Sequence, residues 1–148
     1  MKRMILSAAA AAMLAAGAAP LWAEESNPAI VHRQGIYKIV GGHMNALKSI
    51  LFLNFAAPQD VSFHAQGIVE AFQRMGESYP PDSAEGETKT EPAIWNNLPK
   101  FKKFGEEAFA SAQKLAQASQ GADKAATLEA FKELGGKCKQ CHDDFRQK

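Results

Sequence analysis

Cys138 and Cys141 are the only cysteines in this 148-residue chain, and they stand three residues apart. So close a pair cannot staple distant segments, so a fold of this length must be held by an apolar core rather than by crosslinks. With 46% hydrophobic residues the chain has the material for one such core and one domain. These features argue against a disulfide-framed miniprotein and against a disordered polar tail.

The N-terminal stretch lies outside that core. Lys2 and Arg3 precede an Ala/Leu/Met run from Met4 to about Ala19, and Leu21-Trp22-Ala23 closes on a small residue. The pattern predicts a secretory signal peptide over residues 1–23, cut after Ala23, and an exported domain over residues 24–148. A short uncleaved anchor is the alternative, but no second stretch approaches the roughly 20 apolar residues of a membrane span. Without Lys2 and Arg3, 15 Lys+Arg face 16 Asp+Glu, a balance with no nucleic-acid footprint.

Four stretches carry helical periodicity and none sustains strand alternation, which predicts an all-α fold. The first opens at Ser26-Asn27-Pro28, a polar cap followed by Pro at the first helical position, and runs to about Phe55. Tyr37, Val40, Met44, Leu47 and Leu51 line one side of it. Gly41-Gly42 interrupts it at about 1 kcal/mol per Gly, which predicts the close approach of something bulky. The second spans Pro58 to Gly76, with Asp60 at the positive end of the dipole and a stripe of Val61, Ala65, Ile68, Phe72 and Met75.

From Gly76 to Asn96 the chain reads as a long loop, either a crossover or a mobile flap. A third helix opens at Asn96-Asn97, with Pro99 in its first turn and Phe101, Gly105, Ala108, Ala112 and Leu115 on one side. The small residues leave space inside the bundle. Gly121 closes it, Asp123 caps the fourth, and Phe131, Leu134, Cys138, Cys141 and Phe145 recur at steps of 3, 4, 3 and 4. Four such helices make an antiparallel four-helix bundle with both thiols pointing inward.

Cys138-Lys139-Gln140-Cys141-His142 is C-x-x-C-H, the attachment signature for c-type haem. On a helix, residues three apart lie about 5–6 Å from each other on one side, so both thiols can add to the two vinyl groups of one porphyrin edge. His142 is then held to reach the iron from one face. A redox C-x-x-C would need a βαβ context and a helix N-terminus, and a structural zinc site would need four ligands. His32, His43 and His64 show no ligand spacing and read as helix-surface or interface residues.

The chain resembles the cytochrome c′ family, the class II c-type cytochromes. The resemblance covers nearly all of residues 24–148. It rests on Cys138-Lys139-Gln140-Cys141-His142-Asp143-Asp144-Phe145-Arg146, on Arg33-Gln34-Gly35-Ile36-Tyr37 and on Pro92-Ala93-Ile94-Trp95. It implies a haem c bound through Cys138 and Cys141, with His142 as the metal ligand. It also implies propionate contacts from Arg33 and Gln34, with Tyr37 over the far face of the iron, where low-spin relatives place a ligating Met. For Arg33 and Gln34 the alternative is a solvated pair; for Tyr37, a core tyrosine bonded to a backbone carbonyl.

A neutral Tyr is a poor iron ligand and a bulky one, so a five-coordinate, high-spin iron is expected beneath a crowded apolar face. The family likeness then implies nitric oxide binding, carbon monoxide as a laboratory ligand, and electron transfer with a redox partner protein, without turnover chemistry. It implies a periplasmic location and a homodimer. The rival is a low-spin, six-coordinate electron carrier with Met44 as sixth ligand, although Met44 lies about 10 Å further along the axis. A haem-free bundle with exchanging thiols is a third reading. Arg146, four residues after His142, shares its side. With Lys137, Lys139 and Lys148 it forms either a basic docking collar or a solvated face.

Overall fold

The computed structural model describes residues 27–148, so the signal-peptide reading of residues 1–23 falls outside the described part. Helix α1, Pro28–Phe52, starts where the sequence indicates: the Asn27 side chain accepts from the Ala29 amide at 2.9 Å and Pro28 takes the first position. It ends three residues before the expected Phe55, and Asn54 then adopts a left-handed φ of 57°, which a short polar side chain tolerates. A 3₁₀ turn at Pro58–Asp60 leads into α2, Val61–Gln73.

A single-turn α3, Ala93–Asn96, lies inside the segment read as loop. Helix α4, Leu98–Ala118, is capped by Asn97, and α5, Lys124–Phe145, by Asp123, whose side chain accepts from Ala125 and Ala126 at 2.9 and 3.0 Å. These caps fall where the polar residues before Pro99 and before the last helix placed them.

The bundle closes by packing α1 on α2, α2 on α4, and α4 on α5. Its core is Val40 and Leu47 of α1, Ala65 and Ile68 of α2, Ala112 and Leu115 of α4, and Phe131 and Leu134 of α5. Each fully buried Leu or Ile contributes about 1.5–3 kcal/mol, and the fit of large against small side chains lets the helices approach. Met44 and Leu51 pack against this core as the α1 stripe requires. The stripe residue Gly105 is exposed instead, and its neighbour Phe104 is buried. No side chain of the protein itself presses on Gly41 or Gly42.

Between α1 and α5 the backbones hardly approach each other; Phe52 and Phe131 bridge them at one end, with ring centroids 5.6 Å apart, and the separation at the thiol end forms a cleft. The connection from α2 to α4 is a crossover fastened at both ends of this cleft. Towards α1 it is held by Arg33. Towards α5, the Glu91 amide donates to the Phe145 carbonyl at 3.0 Å and the Gln147 amide to the Lys89 carbonyl at 2.8 Å, around the bridge between Thr90 and Arg146. Among the described residues no helix is long and apolar enough to cross a membrane.

Candidate functional site

The step of three between Cys138 and Cys141 puts both thiols on the inner side of α5, one turn apart. Cys138 packs against the main core, and Cys141 against a second cluster of Ile94, Phe104 and Phe145 with Tyr79, Trp95 and Phe101 at its edge. The rings there meet edge to face, with Phe101 and Phe145 centroids 5.4 Å apart. Burial pushes both thiols up, Cys141 to about 11, with the neighbouring Cys138 adding to the rise. Such thiols stay protonated at neutral pH, the opposite of the low-pKa thiolate that disulfide exchange requires.

His142 sits at the outer end of this turn. Desolvation and then the nearby Arg146 hold its imidazole below the usual 6.5, with Asp143 opposing. The neutral ring, which is the form that binds metals, is favoured. The two cations beside the motif are already matched: Lys137 bonds Glu107 at 2.8 Å and Lys139 pairs with Asp143. Lys100 and Asp144 join α4 to α5 at 2.7 Å. Of the four cations read as a docking collar or a solvated face, Arg146 and Lys148 form no ion pair among the described residues, while Lys137 and Lys139 are paired at the surface.

Across the cleft stands Tyr37, four residues after Arg33 and therefore on the same side of α1. Although 38% of its surface is accessible, its hydroxyl end is crowded by protein and lies near both thiols. Desolvation pushes its pKa further above 10. Its hydroxyl pairs with that of Tyr79 at 3.0 Å. The alternative reading, a core tyrosine bonded to a backbone carbonyl, is not what is found, and the face expected to be apolar carries two hydroxyls.

Arg33 is the best-buried charge described, 1% exposed. One terminal nitrogen donates to Ser83 Oγ at 2.7 Å and the Ser78 carbonyl at 3.3 Å; the other donates to the Ser83 carbonyl at 2.8 Å and Thr88 Oγ1 at 3.1 Å. Gln34 donates to the Glu87 carbonyl at 2.7 Å. Both side chains therefore hold the crossover. Among the side chains of the described residues, Arg33 Nε alone is buried without a partner, a donor left for a carboxylate of a bound group to meet. Sequence reasoning missed Tyr79, Ser78 and Ser83, since nothing local distinguishes them from ordinary loop residues.

His32 Nδ1 lies 3.1 Å from Ser78 Oγ, and His43 Nδ1 lies 3.0 Å from His64 Nδ1 across the α1–α2 contact. A Cβ on Gly67 would fall 2.4 Å from the His43 ring, so this pairing depends on glycine there. His43 borders an open groove of about 440 Å³ between α1 and α2 that neither thiol lines.

A helical bundle with a side cleft, an aromatic wall, two protonated thiols one turn apart and a neutral imidazole beyond them defines a class: the fittings suit a planar apolar macrocycle attached at its edge. Comparison with known proteins agrees. The Cytochrome C′ family model matches residues 28–146. The cytochrome c′ of Rhodospirillum rubrum is 30% identical over 149 residues, spanning 99% of each chain. A cytochrome c′ structure described as showing ligand-controlled dimer dissociation aligns with a TM-score of 0.75 at 27% identity, covering 81% of this chain and 95% of the other. A nitric oxide complex of a variant cytochrome c prime from Alcaligenes xylosoxidans aligns at 0.74 and 21% identity, covering 81% and 94%. The chain belongs to the cytochrome c′ family.

Proposed function

We propose that the protein is an exported, periplasmic cytochrome whose haem c is bound through Cys138 and Cys141, with His142 on the iron and the opposite axial position left free for nitric oxide or carbon monoxide. The observation that carries this reading is Tyr37. Its hydroxyl end lies near both thiols, and its burial keeps it a neutral phenol. A neutral phenol is a weak ligand to iron. Met44, the rival ligand, packs against the Val40 and Leu47 core instead.

When bound, the haem supplies an iron that takes a diatomic ligand and exchanges single electrons. The chain's residues supply the rest. The thiols tether one edge, the aromatic cluster excludes water from it, and His142 is kept neutral for coordination. Arg33 Nε offers a buried donor to a propionate, while its other nitrogens hold the crossover closed. On this reading the protein binds and carries. The apolar side chains Ile39 and Phe63, exposed beside the α1–α2 groove, support a homodimer through that face.

The test is spectroscopic. Exported protein should keep a haem stain on a denaturing gel, show high-spin ferric bands and take up carbon monoxide when reduced. A low-spin ferric spectrum indifferent to carbon monoxide would reverse the assignment.

A further inference from the structure

We infer that Tyr79 is a positioning residue: by bonding the Tyr37 hydroxyl it aims the remaining phenolic proton of the pair into the cleft as a hydrogen-bond donor to the diatomic ligand. The inference rests on the proposed function for the ligand, but the hydroxyl pair itself does not.

Two hydroxyls joined by one hydrogen bond hold two protons, and only one is used between them. In the structure Tyr79 donates to Tyr37 at 3.0 Å, and among the described residues Tyr37 has no acceptor for its own proton. The direction has a cause. The Arg33 guanidinium lies over the Tyr79 ring, 5.0 Å from its centroid, and draws electron density from that phenol. Tyr79 is thereby the better donor and Tyr37 the acceptor. An oxygen that accepts one hydrogen bond donates its own proton more strongly.

Tyr79 is also held firmly. Arg33 bonds the crossover at Ser78 on one side of it and at Ser83 on the other. Its ring meets Phe101 edge to face at 4.7 Å, and Trp95 Nε1 donates to the adjacent Pro80 carbonyl at 3.2 Å. Tyr37 alone, 38% accessible on α1, has no other hydrogen bond to fix its hydroxyl. A fixed donor favours a ligand whose outer atom gains electron density on binding, and it favours carbon monoxide least. The pair thus sets which diatomics are retained.

Haem-loaded wild type, Tyr79→Phe and Tyr37→Phe are compared in two measurements. In the first, ultraviolet resonance Raman of the unliganded protein reads tyrosine hydrogen bonding. Tyr79→Phe should shift the Tyr37 ring bands to those of a phenol that accepts no bond, and unchanged bands overturn the pairing. In the second, the C–O stretch of the carbon monoxide complex reads the donor. Tyr37→Phe should raise its frequency, and Tyr79→Phe should split or broaden it towards that higher value, with the melting temperature unchanged in both. A single wild-type band in Tyr79→Phe overturns the positioning role. Failure of the wild type to take up carbon monoxide instead overturns the proposed function, and the Raman comparison still decides the pair.

Discussion

The two ends of the bundle are built on different principles. At the end around Leu47, Ile68, Leu115 and Leu134, each of these side chains is wholly buried and comes from a different helix. At the cleft end the large groups are aromatic, several are half-exposed, and the chain closes through a crossover held by Arg33 on the α1 side and by backbone bonds to Phe145 and Gln147 on the α5 side. The first end is a core complete in itself. The second is a frame whose α1 and α5 walls stand apart, and burial there is finished by whatever occupies the cleft.

The sharpest way to break this contrast is Leu47→Ala. It should cost about 3 kcal/mol, the transfer term plus an unfilled cavity, and leave the haem spectrum unchanged. Denaturant unfolding alongside absorption spectra checks both. Next comes Arg33→Met, which strands the Ser78 and Ser83 carbonyls and should cost about 2 kcal/mol. Its mark is local: protease cleavage between residues 76 and 92 should accelerate well before global unfolding.

Tyr37→Ala should alter stability by less than about 1 kcal/mol, because the residue is partly exposed. Carbon monoxide uptake should nevertheless quicken as crowding is relieved, and an unchanged rate in stopped flow would place Tyr37 away from the iron. The smallest effect belongs to the core end. Burial, and then His64, hold His43 below its usual 6.5, so the unfolded chain binds the proton more readily. The contribution of His43 is therefore present above about pH 6.5 and is lost as pH falls towards its folded value. The melting temperature should drop less over that interval in His43→Gln than in wild type.

The same contrast explains what was legible beforehand. Helix starts at Asn27-Pro28, Asn97 and Asp123, the core stripes, and the inward register of Cys138 and Cys141 are local facts, fixed by spacing along one helix. Arg33 is the counter-example. Its neighbours in sequence mark a helix surface, yet its partners lie 45 to 55 residues away, and only tertiary contact makes it the closure of the crossover. Tyr79, α3 and the pairing of Thr90 with Arg146 were hidden for the same reason. At Gly41-Gly42 the local signal of close packing finds no partner within the chain itself.

The bonds between Lys89, Glu91, Phe145 and Gln147 have a consequence in time. Synthesis runs from the N-terminus at roughly 5–20 residues per second, so the crossover emerges several seconds before the residues that latch it. Throughout that interval α1 and α2 can already pair, while the flank of the last helix has yet to exist. The bonds that fasten the crossover are thus contacts between a middle segment and the very end of the chain, and no shorter product of synthesis can make them.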